Sequence, residues 1–134
     1  MEPRTRLLEA IEARPEVVFA VLFGSRADGR ARPDSDWDVG VYVDDTLDAT
    51  ARFRLRRELA AALEPALQVD VVVLNDAPPL LGHRALAGQL VVDRDHVRYV
   101  RYFVRTIAQS HDMANARRIH ADARRHRLLQ GGHG

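Results

Sequence analysis

The chain contains no cysteine and no lysine: all 20 of its basic residues are arginine. The first absence excludes disulfides, thiolate zinc sites and a thiol nucleophile. The second leaves every positive charge on a planar guanidinium, suited to phosphate and carboxylate although arginine bias also follows genome composition. No apolar run approaches the length of about 18 residues needed to span a bilayer, and no secretory pattern opens the chain, so a cytoplasmic location is expected. Aromatic residues are scarce at 6%, and the formal net charge is only +1. The molecule as a whole therefore does not advertise binding to a polyanion, and direct nucleic-acid binding is not expected. What is present is ordinary for one globular domain: 134 residues, 46% hydrophobic and 29% charged.

Helical spacing of Leu7, Leu8 and Ile11 predicts a first helix from Pro3 to Arg14, stopped by Pro15. Residues 17–23 form a continuous β-rich apolar run, as in a strand buried on both faces. A second strand is predicted over Val39–Val43 and a third over Val69–Leu74, separated by a helix from Leu47 to Leu67. A short helix from Leu80 to Ala87 and a short strand from Gln89 to Val92 precede the longest periodic segment. There Val97, Val100, Phe103, Val104 and Ile107 recur at three- and four-residue intervals, so this face is expected to bury against the sheet or a partner. The expected class is α/β (α+β): a small mixed sheet of three or four strands flanked by helices, with a long C-terminal helix. The domain is expected to span 1–114, leaving 115–134 as a basic helix end and flexible tail.

Residues 24–38 read GSRADGRARPDSDWD and carry the chemistry. Gly24 ends the first strand, where a missing side chain lets phosphate approach the backbone, and Ser25 adds a hydroxyl and N–H groups. Asp36 and Asp38 stand at the entrance of the second strand. With a period of two their carboxylates share a face, while Trp37 points to the other and fills core space. Asp70 interrupts an apolar run on the third strand, an expensive position unless something pairs with it. If the two strands are neighbours, three carboxylates gather, and oxygen-only ligands call for Mg²⁺ or Mn²⁺. Arg26 suits either a phosphate or a surface pairing with Asp28 or Asp34. Tyr42, Tyr99 and Tyr102 read as packing residues, and the six histidines show no metal-ligand spacing.

Gly24-Ser25, ten residues, Asp36-Trp37-Asp38 and then Asp70 within an apolar strand resemble the DNA polymerase beta-like nucleotidyltransferase superfamily. The short chain resembles its minimal members, the MNT (MntA-type) antitoxins encoded beside a HEPN toxin. The resemblance covers roughly Val17 to Asp93. It implies transfer of AMP from ATP to a tyrosine of the cognate HEPN ribonuclease in a hetero-oligomer. It also implies that Gly24 and Ser25 bind the triphosphate while Asp36, Asp38 and Asp70 hold the metal and form the catalytic set. Trp37 is bulkier than the aliphatic residue usual between the two aspartates, and the segment after Ala114 matches no motif. Two further readings stay open: a non-catalytic antitoxin that neutralises its partner by contact, and an aminoglycoside-type small-molecule nucleotidyltransferase.

Overall fold

The computed structural model describes residues 2–29, 32, 35–63 and 68–112. In chain order the elements are α1 (Pro3–Glu12), β1 (Val17–Phe23), α2 (Ser25–Asp28), β2 (Trp37–Val43), α3 (Ala49–Ala60) and β3 (Val69–Val73). A 3-10 turn (Leu74–Asp76) leads to α4 (Pro79–Leu86) and β4 (Gln89–Asp93). A final helix, α5, begins at His96 and is described through 112. The strand order is β3-β2-β1-β4, with β1 antiparallel to both β2 and β4, and β2 parallel to β3. This is the mixed four-stranded sheet flanked by helices that the sequence implies. Residues 113–134 lie outside the described residues, and with them the expected basic end and the boundary near residue 114.

Each face of the sheet is covered by a helical layer. Val39, Val41 and Val43 of β2 and Val69, Val71 and Val73 of β3 pack with Leu7 and Ile11 of α1 and Leu55 and Leu59 of α3. Phe19, Val21 and Phe23 of β1 face the other way, toward Ala85 and Leu86 of α4 and Tyr102 of α5. Because helices cover both sides, all seven β1 residues are buried, which explains their uninterrupted apolar run. On the second face Phe19 stacks on Tyr42 at 5.1 Å between ring centroids and meets Tyr99 and Tyr102 at 5.2 and 5.7 Å. The three tyrosines are therefore packing residues.

Two side chains close the frame where secondary structure runs out. Asn75, just past β3, accepts from the Val43 N–H and donates to the Val43 carbonyl, both at 2.9 Å, extending the β2 pairing by one residue. Arg94, just past β4, donates to the carbonyls of Glu12, Arg14 and Val17 at 2.5 to 2.8 Å. It satisfies the end of α1 and ties it to β1, a task that orphan helix carbonyls require of some partner.

Two sequence expectations are corrected and a third is narrowed. The second strand begins at Trp37 rather than Val39, because the Trp37 N–H already donates to the Gln68 carbonyl and Trp37 pairs with Val69. The middle helix ends at Ala60, well short of Leu67, and residues 64–67 lie outside the described residues. Of the two places expected for the apolar stripe of α5, the sheet or a partner, the sheet is ruled out: Val97, Val100, Phe103, Val104 and Ile107 are exposed, while Tyr102, Thr106 and Ser110 are buried. A stripe of one tyrosine and two hydroxyl residues at four-residue spacing fits where the tyrosine ring meets Phe19 and its hydroxyl donates to the Leu74 carbonyl at 3.2 Å. Apolar periodicity alone did not register that preference.

Candidate active site

β1 ends where β2 and β3 begin, and the signature residues meet there. Asp38 pairs with Phe23 of β1 on one side and with Asp70 of β3 on the other. Strand alternation puts Asp38 on the face of Tyr42, and Asp70 on the face of Val72, the same second face of the sheet. α5 covers the opposite end of that face through Tyr99 and Tyr102, so the carboxylates open into the space between α3 and α4. Trp37 is turned the other way, buried in the first core, as its alternation with the aspartates requires.

Asp36 lies one residue before β2 and is exposed, as is Asp70, whereas Asp38 is half-buried. Burial first, then the charges of Asp70 and Asp36, push the Asp38 carboxyl above its ordinary range, and Arg84 of α4 opposes them. The three acidic groups thus act on one another through Asp38. They do not form a finished cage: among the described residues no three His, Cys, Asp or Glu side chains are already placed to hold an ion.

Gly24 takes φ +75°, a value that side-chain-bearing residues rarely adopt, and a Cβ there would overlap the Asp38 carboxylate oxygen Oδ2. The glycine and the first strand aspartate are therefore one packed unit. The following residue, Ser25, opens α2, a single turn closed by Gly29 at φ +73°. Arg26 does not face this space alone: its guanidinium donates to the Ser35 carbonyl at 2.8 Å and lies 4.4 Å over the Trp37 ring. These contacts hold the signature loop against β2.

Two depressions flank Asp38. A cleft of about 390 Å³ is lined by Gly24, Ser25, Asp38, Arg84 and Gly88. A groove of about 590 Å³ runs from Asp38 and Asp70 past Arg52, Phe53 and Arg84. Arg84 belongs to both. Sequence reading overlooked it because it sits in an unremarkable short helix, 14 residues past Asp70, with no motif around it. Gly88 explains its proximity: a Cβ at that position would overlap the Leu22 carbonyl, so the turn after α4 lies directly against the end of β1.

Among the described residues, no helix is long and apolar enough to cross a membrane. Residues 6–97 match the family model described as polymerase beta, nucleotidyltransferase. The protein adenylyltransferase MntA of Shewanella oneidensis is 40% identical over 67 residues, which are 50% of this chain and 47% of that protein, so the match spans about half of the relative. A chain of the crystal structure of a toxin-antitoxin with AMP-PNP is similar at TM-score 0.72 and 26% identity, covering 91% of this chain and 98% of that one. A chain of the complex between tri-AMPylated Shewanella oneidensis HEPN toxin and MNT antitoxin is similar at TM-score 0.65 and 25% identity, covering 89% and 92%. With the Gly-Ser turn, the paired aspartates and the mixed sheet all in place, the chain belongs to the polymerase beta nucleotidyltransferase family.

Proposed function

We propose that this chain is a metal-dependent protein adenylyltransferase, moving AMP from ATP to a tyrosine hydroxyl of a HEPN-family toxin and acting as its antitoxin. The observation that carries this reading is the register of Asp38 against Asp70, with Gly24 directly beneath the Asp38 carboxylate. Family membership and the likeness to chains of complexes that contain AMP-PNP or an AMPylated toxin support the choice of nucleotide and partner. A hetero-oligomer with the toxin follows from it. A cysteine-free chain that consumes ATP fits the cytoplasm.

Asp36, Asp38 and Asp70 fit a divalent cation by their chemistry. They are hard oxygen donors, and Asp38 resists ionising because it is partly buried and its acidic neighbours crowd it. Such a set favours Mg²⁺ or Mn²⁺. When bound, the ion supplies charge neutralisation for the phosphates and polarises the reacting centre. The Gly24 backbone and the Ser25 hydroxyl hold the outer phosphates in the 390 Å³ cleft. Asp70, the more exposed of the two paired carboxylates, receives the proton of the incoming hydroxyl and returns it to water. The acceptor oxygen forms a bond to the α-phosphorus as the bond to the bridging oxygen breaks. That electron pair leaves with pyrophosphate, and the tyrosine keeps AMP.

The experiment is transfer of α-labelled phosphate from ATP to the HEPN protein in Mg²⁺. Label on a tyrosine, absent with Asp38→Ala, supports the reading. Neutralisation of the toxin without label would select contact alone, and label on aminoglycosides instead would select a small-molecule acceptor.

A further inference from the structure

We infer that Arg84 is the residue that binds the β- and γ-phosphates from the α4 side of the cleft, opposite the Gly24-Ser25 turn. The inference rests on the nucleotidyltransfer reading above and adds to it the cation that the signature motif does not contain.

Position is the first argument. Arg84 lines the 390 Å³ cleft beside Gly24 and Ser25, where it is the sole basic residue among the described residues, and also the groove that contains Asp70. It therefore spans the line along which a triphosphate passes from the glycine-serine turn toward the carboxylates.

Commitment is the second. Two other arginines around the site are occupied, Arg26 with the Ser35 carbonyl and the Trp37 ring and Arg52 with Asp76 at 2.7 Å, while Arg56 lines the groove but not the cleft that holds Gly24 and Ser25. The Arg84 guanidinium makes no hydrogen bond or ion pair with any described residue, and its charge acts on Asp38. An arginine placed in a cleft and left with five unused N–H donors is matched to an oxyanion that arrives from outside.

Anchoring is the third. Ala85 and Leu86, the two residues after Arg84, are buried against β1, and Gly82 lies so close to Tyr102 that a Cβ there would come within 2.6 Å of its hydroxyl. The helix is held on both sides, so the guanidinium starts from a fixed base and loses less freedom when it closes on phosphate. With no lysine anywhere in the chain, this task falls to arginine. The bidentate fork suits it, because the charge on the bridging oxygen and the two terminal phosphates grows as the bond to the α-phosphorus breaks.

The test compares binding of ATP and of AMP, each with Mg²⁺, by calorimetry to the wild type, Arg84→Ala, Arg84→Lys and the surface control Arg101→Ala, with melting temperature as the folding check. The expected result for Arg84→Ala is a 10- to 100-fold loss of ATP affinity with AMP affinity unchanged within about twofold. Arg84→Lys should recover part of the loss, and Arg101→Ala should match the wild type. Unchanged ATP affinity in Arg84→Ala, or an equal loss for AMP and ATP, overturns the assignment while leaving nucleotidyl transfer standing. Failure of the wild type itself to bind ATP overturns the underlying reading as well.

Discussion

Asp38 stands directly opposite Asp70 across the parallel pairing of β2 and β3, and Gly24 lies close enough to Asp38 to leave no room for a side chain of its own. One strand register thus brings two carboxylates together beside a phosphate-sized opening. Partial burial of Asp38, and then repulsion by Asp70 and Asp36, are the cost of that arrangement before a counter-charge arrives.

Replacing either paired carboxylate should abolish transfer without unfolding the chain. Asp38→Asn and Asp70→Asn are each expected to lower the rate of AMP transfer by about 10³-fold, the scale seen when a group acting on the reacting centre is removed. In chelator, Asp38→Asn should melt no lower than the wild type, since it relieves crowding by Asp70 and Asp36. Mg²⁺ with a nonhydrolysable ATP analogue should raise the wild-type melting temperature and leave that of the variant unmoved.

Gly24→Ala carries two penalties at once, a φ of +75° and overlap with Asp38 Oδ2. A loss of about 1–3 kcal/mol in chemical denaturation is expected, together with loss of nucleotide binding. Ser25→Ala, which removes only a hydroxyl, should raise the KM for ATP by about tenfold and leave stability nearly unchanged.

The motif was legible because its requirements are local. Gly24-Ser25 at a strand end and the alternation of Asp36, Trp37 and Asp38 can be read from spacing, and the structure places Asp38 and Asp70 on the face that spacing implied. Arg84 was not legible, since its role comes from α4 folding back against the end of β1, a contact that no local pattern records. Which of the two, sheet or partner, the apolar stripe of α5 would face was not legible for a related reason. Tyr102, Thr106 and Ser110 score as polar, yet ring packing on Phe19 and a hydroxyl partner on Leu74 make theirs the side that faces the sheet.

The exposure of that stripe is itself testable. Val104→Ser on the exposed stripe should change unfolding free energy by no more than about 0.5 kcal/mol. Thr106→Asp, which places a charge at a buried position, should cost several times as much.

Arg94→Ala should destabilise the fold by about 2–3 kcal/mol, because the carbonyls of Glu12, Arg14 and Val17 lose a charged donor together. Transfer activity per folded molecule should be unaffected, as Arg94 lies past β4 and away from the carboxylates.

Alkaline pH probes the second core. Burial raises Tyr102, and likewise Tyr42, above the ordinary 10.0, so the folded state holds these protons more tightly than the unfolded chain does. Their contribution is complete below pH 10 and is lost as pH rises through the folded values. Tyr102→Phe removes one of two donors to the Leu74 carbonyl, leaving the Ala77 N–H, and should cost about 1 kcal/mol at neutral pH. Thermal melts should show the gap between variant and wild type narrowing above pH 10.

The most direct measurement counts Mn²⁺ bound in the presence of a nonhydrolysable ATP analogue, by electron paramagnetic resonance, for the wild type and for Asp36→Asn, Asp38→Asn and Asp70→Asn. Binding in the wild type, weakened by each substitution in variants that melt normally, is the predicted result. Mn²⁺ binding undiminished in both Asp38→Asn and Asp70→Asn would contradict a site built on the β2–β3 carboxylate pair.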